Sequence, residues 1–103
     1  MQTTITARHC EISDTLRSRA MAVVERLGAI APRPMEITVG FDADGLQQTA
    51  EIRLHVARGE VLVASGEGAD HRTALDRAEE KIRRQVEKAS RPRRSRPSQA
   101  KPL

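Results

Sequence analysis

The sequence predicts an α+β two-layer sandwich in the order β-α-β-β-β-α, a four-stranded sheet with two helices on one of its faces. Three observations predict it. Two stretches repeat apolar residues at intervals of three and four, as amphipathic helices do. Three consecutive stretches alternate apolar with polar residues, as half-buried strands do. A short β-branched run precedes the first helix, and a strand-helix-strand opening favours a parallel first pair joined by a right-handed crossover. Strands that are apolar on one side only give that side to the helices and leave the other to water.

Thr3-Thr4-Ile5-Thr6-Ala7 is short and β-branched, and reads as a first strand over residues 2–7. Ser13 is a good N-cap, and after it Leu16, Ala20, Val23, Val24 and Leu27 recur at helical spacing until Gly28 offers a stop. Pro32 and Pro34 bar continuation of that helix, and Met35, Ile37, Val39 and Phe41 then alternate with Glu36, Thr38, Gly40 and Asp42. Asp42-Ala43-Asp44-Gly45 is a turn signal, followed by Ala50, Ile52, Leu54 and Val56 alternating with Thr49, Glu51, Arg53 and His55. Arg58-Gly59 separates this strand from Val61-Leu62-Val63-Ala64, a hairpin partner ended by Gly66 and Gly68. Asp70 is placed to cap a long second helix, in which Ala74, Leu75, Ala78, Ile82, Val86 and Ala89 recur at intervals of three and four. From Ser90 onward almost nothing is apolar, so a domain over residues 1–89 is expected to carry a disordered basic tail over residues 90–103.

A chain of 103 residues has room for one domain. Phe41 is its only aromatic residue, so the core must be thin and aliphatic. Cys10 is the single cysteine, which leaves no disulfide framework and fits a reducing cytoplasm. With neither a signal peptide's apolar core nor a stretch long enough to span a bilayer, the chain is expected to stay in the cytoplasm, away from membranes.

Charge is sorted along the chain. Residues 1–70 hold seven Lys/Arg against ten Asp/Glu, whereas residues 71–103 hold eleven against four, which points to a polyanionic partner for the C-terminal third. At about 100° per residue, Arg77, Lys81, Arg84 and Lys88 of the second helix fall within an arc of about 60°, a basic stripe with anion contacts spaced near one helical turn. Glu79 to Arg83 and Glu80 to Arg84 supply i,i+4 pairs, which leaves Arg83 to a merely soluble face. On the first helix Arg19 and Arg26 lie two turns apart at the edge of the apolar face, and extend the basic surface if the helices pack side by side. Arg91, Arg93, Arg94, Arg96 and Lys101 make the tail a basic arm, auxiliary to the stripe. Its deletion is expected to leave thermal stability nearly unchanged, since it buries nothing apolar.

No stacking aromatic is available, because Phe41 sits on a buried alternation, so recognition is expected to rest on backbone charge and the shape of a folded RNA. An enzyme is not expected: His9, His55 and His71 lie in three separate segments, without an evident nucleophile set beside them. His9-Cys10 lacks the repeated ligand spacing of structural zinc, so Cys10 reads as a small core residue and His9 as a surface one. Gly66-Glu67-Gly68 lacks the third glycine and the lysine of nucleotide-binding loops and reads as a turn. No catalytic residue, metal, cofactor or small-molecule substrate is expected. On the residues alone, a general double-stranded-RNA or DNA-binding protein remains a competing reading.

Several pieces in this order and spacing carry a family resemblance. They are Ile5-Thr6-Ala7-Arg8-His9, Ile12-Ser13-Asp14-Thr15-Leu16-Arg17, Val63-Ala64-Ser65-Gly66-Glu67-Gly68, and Asp70-His71-Arg72-Thr73-Ala74-Leu75-Asp76 leading into Glu80-Lys81-Ile82-Arg83-Arg84-Gln85-Val86. Over about residues 2–89 the chain resembles the short form of the ribosome hibernation promoting factors, also called ribosome-associated inhibitor or sigma-54 modulation proteins. The resemblance implies a fold like that of double-stranded-RNA-binding domains, and binding to the small ribosomal subunit between head and body. The ligand is then 16S ribosomal RNA, in the channel used by messenger RNA and by A- and P-site transfer RNA. Translation is inhibited by occupancy, in stationary phase or stress. The family's basic positions fall on Lys81, Arg84 and Lys88 of the second helix, on Arg26 of the first, and on Arg8 after the first strand. Val23 stands where the family commonly has a basic residue. Some short members promote ribosome dimers together with a separate ribosome modulation factor, and others, with a longer tail, oppose them.

Overall fold

The computed structural model describes residues 1–90, so all of the expected tail but Ser90, with Arg91, Arg93 and Arg94, lies outside the described residues. Strand β1 (Gln2–Arg8) leads into helix α1 (Asp14–Ile30). Strands β2 (Pro34–Asp44), β3 (Gln47–Val56) and β4 (Val61–Gly68) follow, and helix α2 (His71–Ser90) closes the described chain. The sheet order is β1-β2-β3-β4, with β1 parallel to β2 and the other pairs antiparallel. The predicted β-α-β-β-β-α sandwich is therefore the observed one.

The register explains which residues meet. Ile5, Val39, Ile52 and Ala64 form one row across the sheet, and Ala7, Phe41, Ala50 and Gly66 the next. These rows face the helices, and Phe41, Ile37, Ile52, Leu54, Leu27, Leu75 and Ile82 are its largest fully buried side chains. The opposite face carries Thr6, Gly40, Glu51 and Ser65, then Arg8, Asp42, Thr49 and Glu67, and is open to water. Cys10 is half-buried and packs at the margin of the core. Val23 is fully buried, so an aliphatic residue there serves the core and leaves no place for an exposed cation.

Element ends differ from expectation in instructive ways. Helix α1 passes through Gly28 and stops at Ile30, because Pro32 and Pro34, not the glycine, end it; the Met1 side chain packs against Gly28 from outside. Strands β2 and β3 extend to Asp44 and from Gln47, so the hairpin turn is the two residues Gly45-Leu46. Gly45 alone takes a positive φ of 64°, the arrangement that puts glycine first in a tight hairpin. The largest difference is β4, which runs through Gly66 to Gly68 where a turn was expected. Glycine there marks close approach of α2 to the strand, not a change of direction: a Cβ on Gly66 would meet the Ala74 carbonyl oxygen and the Ala78 nitrogen.

Both helix N-caps act as predicted. Ser13 Oγ accepts from the Leu16 N–H at 3.0 Å, and Asp70 Oδ1 accepts from the Thr73 N–H at 2.7 Å. The bond from the Thr73 backbone N–H, with a further bond from its side chain, holds the Asp70 carboxyl below the usual carboxylate range. A depressed folded-state pKa contributes stability above the unfolded-state value, and that contribution is lost as pH falls through the folded one. Asp70→Ala is accordingly expected to lower Tm by a few degrees near neutral pH, with the gap from wild type closing in acid. Thermal unfolding of both proteins across pH checks this.

Candidate nucleic-acid interface

The cations of α2 are organised by the edge of the sheet. Strand β4 is an edge strand, and such an edge exposes a row of backbone groups that need partners. Helix α2 runs antiparallel to it and lays one flank along it. Arg77 Nη1 donates to the Glu67 carbonyl at 2.7 Å, Lys81 Nζ to the Ser65 carbonyl at 2.9 Å, and Gln85 Nε2 to the Val63 carbonyl at 2.8 Å. One residue per helical turn thus meets every second residue of the strand, since four helical residues rise about 6 Å and two strand residues about 6.6 Å. The match between the two periods places the cationic heads.

Of the predicted stripe, Arg77, Lys81, Arg84 and Lys88 are all exposed. Arg84 Nη2 is paired with Glu80 at 3.1 Å, both side chains being well exposed. Among the described residues no carboxylate pairs with Arg77, Lys81 or Lys88. Their charge is therefore available to an anion, and the carbonyl bonds hold two of the heads without neutralising them. Lys88 also lies in the last turn of α2, where a cation complements the helix dipole.

The arginines of α1 are placed differently. Arg26 does lie at the seam between the helices, but it bonds Glu79 of α2 through Nε at 2.7 Å and Nη2 at 3.0 Å. The Glu79 side chain is only 10% exposed, and its bond raises the Arg26 pKa above the ordinary guanidinium value. Arg19 Nη2 stands 3.7 Å from Asp76, and Arg19 Nε is buried without a hydrogen-bond partner. On the helix wheel Asp76 and Glu79 lie on the flank opposite Arg77, Lys81 and Gln85, so Arg19 and Arg26 sit across α2 from the stripe. Asp76, Glu79, Glu80, Arg83, Arg84 and Glu87 line a shallow, mixed-charge depression between the two flanks. The expected Glu79–Arg83 pair does not form, because Glu79 turns to α1; the expected Glu80–Arg84 pair does.

Arg8 lies at the far end of β1 on the open sheet face, exposed and in register with Asp42. Asp42 also gathers two histidines that the sequence puts far apart. His9, in a left-handed backbone conformation at φ 57°, places Nδ1 3.0 Å from Asp42 Oδ1. His71 Nε2 donates to the Asp42 carbonyl at 2.9 Å, and its ring meets Phe41 edge-on at 5.4 Å. The His9 bond first, and then the Ala43 N–H, hold the Asp42 carboxyl below its ordinary value. Only the pairing of β1 with β2 and the return of α2 bring these groups together, which no local pattern announces. Among the described residues no group of three or more His, Cys, Asp or Glu is arranged to hold a metal ion, and no helix is long and apolar enough to cross a membrane.

These features define a two-layer α+β module that displays its cations along one flank of its second helix. The chain belongs to the family described as sigma 54 modulation protein / S30EA ribosomal protein, whose model matches residues 3–94. The ribosome hibernation promoting factor of Escherichia coli (strain K12) is 33% identical over 88 residues, covering 85% of this chain and 92% of that protein. The protein of the same name from Pseudomonas putida (strain KT2440) is 31% identical over 88 residues and covers 85% of each. Among solved structures, the N-terminal domain of Thermus thermophilus Protein Y matches with a TM-score of 0.73 at 26% identity, covering 85% of this chain and 98% of that one. A ribosomal subunit interface protein from Coxiella burnetii shares the fold, with a TM-score of 0.73 at 22% identity and coverage of 86% and 97%.

Proposed function

We propose that this protein is a ribosome hibernation factor that binds 16S ribosomal RNA of the small subunit at the decoding channel. There it blocks messenger RNA and A- and P-site transfer RNA, and so inhibits translation in the cytoplasm during stationary phase or stress. The observation that carries the reading is the α2 flank: Arg77 and Lys81 are held in place by β4 carbonyls, and neither they nor Lys88 is neutralised by a carboxylate among the described residues. Anchored cations lose less side-chain freedom on meeting a phosphate than free ones. Membership of the family and relatives named ribosome hibernation promoting factor support the ribosome as the source of that phosphate.

Inhibition here is occupancy, with no bond made or broken in the RNA. Phe41, at 1% exposure, is unavailable for stacking on bases, so the grip rests on backbone phosphates and the shape of folded RNA. Arg84, Lys88 and Arg8 extend it. Arg26 and Arg19 contribute from the α1 side through whatever donor capacity Glu79 and Asp76 leave them, and Arg91, Arg93 and Arg94 add an auxiliary arm on charge alone. A separate ribosome modulation factor is a further partner where ribosome dimers form.

Sedimentation tests the reading. The protein is expected to travel with 30S or 70S particles and to resist displacement by bulk duplex RNA. If about six phosphates are contacted, its affinity should fall on the order of a thousandfold between about 50 and 200 mM salt. Equal retention by any duplex, RNA or DNA, would favour a general double-strand binder instead.

A further inference from the structure

The row that seals β4 contains one member that is not a cation. Arg77, Lys81 and Gln85 occupy equivalent places, one turn apart, and each donates to an edge carbonyl. Arg and Lys are donors only, which suits phosphate oxygens, whereas a glutamine amide carries an acceptor as well. We propose that Gln85 Oε1 accepts a hydrogen bond from a ribose 2′-hydroxyl of the bound strand, which makes Gln85 the residue that sets the preference for RNA over DNA. The proposal rests on the function proposed above and names what that interface reads beyond charge.

Chemistry fixes the orientation of the amide. The Val63 carbonyl can only accept, so Nε2 must face it at 2.8 Å, and Oε1 is turned the other way. No protein donor reaches Oε1 among the described residues. The oxygen is nonetheless open to solvent: Gln85 is half-buried, and among the described residues the one buried side-chain nitrogen or oxygen without a partner is Arg19 Nε. An open acceptor on a side chain already pinned by its other end is pre-oriented for an incoming donor. On a nucleic-acid backbone phosphates and ring oxygens only accept, so the donor available in mid-strand is the 2′-hydroxyl, which DNA lacks. The exposed carboxylates of α2, Asp76, Glu80 and Glu87, also accept, but they lie off this flank and carry the charge that phosphates repel.

Binding of a short RNA duplex is compared with that of the same duplex carrying 2′-fluoro in place of every 2′-hydroxyl, which keeps the A-form shape and removes the donor. Wild type is expected to prefer the hydroxyl duplex by about three- to tenfold, the range for one hydrogen bond. Gln85→Lys keeps a donor for the Val63 carbonyl and deletes the acceptor. It should bind both duplexes more tightly through its added charge, and its preference should fall to unity. Gln85→Leu, checked by thermal unfolding, should lose the preference with no gain in charge. Equal wild-type affinity for the two duplexes, absence of binding to either, or a preference that survives in both variants overturns the assignment. Co-sedimentation of wild type with small subunits is scored separately, so failure of the ribosomal reading and failure of the Gln85 assignment are told apart.

Discussion

Replacing Lys81, Arg84 and Lys88 together by neutral residues is expected to abolish association with the small ribosomal subunit while leaving the fold intact. All three are exposed, none belongs to the apolar core, and among the described residues Lys81 is bonded only to an edge carbonyl that water can satisfy in its place. Arg84 leaves behind an exposed Glu80, which costs little. The loss should exceed about a hundredfold in affinity, and the slope of log affinity against log salt should become shallower by about 2.7, since each lost phosphate contact removes about 0.9. Quantitative sedimentation at several salt concentrations reads both. A folded triple variant with an unchanged slope would place the phosphates elsewhere on the molecule. Arg26 is deliberately left in place, because removing it would strand Glu79, which is only 8% exposed, and confuse a binding defect with a folding one.

Gly66→Ala should produce a large loss of stability, since no other glycine is approached so closely where a Cβ would stand. The new Cβ would meet the Ala74 carbonyl oxygen, stand 2.7 Å from the Ala78 nitrogen and 2.8 Å from the Arg77 Cβ. Two of these three atoms are backbone, so the strain cannot be relieved by a rotamer change; α2 must lift away from β4. Overpacking of this kind costs about 2–3 kcal/mol, which corresponds to a fall in Tm of about 10 °C or more for a domain of this size. Lifting α2 also withdraws Arg77 and Lys81 from the Glu67 and Ser65 carbonyls that hold them, so binding should weaken even in the fraction that folds. Thermal unfolding followed by circular dichroism checks the first effect, and an unchanged Tm would mean that the helix and strand do not pack as closely as described.

Gly66 also marks where reading the sequence stopped short. A glycine between two periodic segments is locally indistinguishable from a strand end, and only the helix lying on it reveals that the missing Cβ makes room for a backbone. The alternations of β2 and β3 and the periodicity of α2 were legible because each depends on the residues of its own segment, and the parallel β1–β2 pair because a strand-helix-strand connection favours it. Glu79 was misassigned for the opposite reason. The i,i+4 rule offers Arg83 as its partner, and nothing in α2 announces that Arg26, 53 residues earlier, arrives with a bidentate bond. The basic stripe was found by its period, but its alignment on the β4 carbonyls was not, since a wheel shows which residues share a flank and not what that flank lies against. Gln85, uncharged, belongs to no pattern of cations although it continues the same row.

Hydroxyl-radical footprinting of 16S ribosomal RNA in isolated small subunits, with and without the protein, tests the central claim most directly. Wild type should protect backbone positions confined to the decoding channel, and the Lys81, Arg84 and Lys88 triple variant at the same concentration should protect none of them. Protection elsewhere on the subunit, or a channel footprint that the triple variant reproduces, would contradict a grip made by the α2 flank.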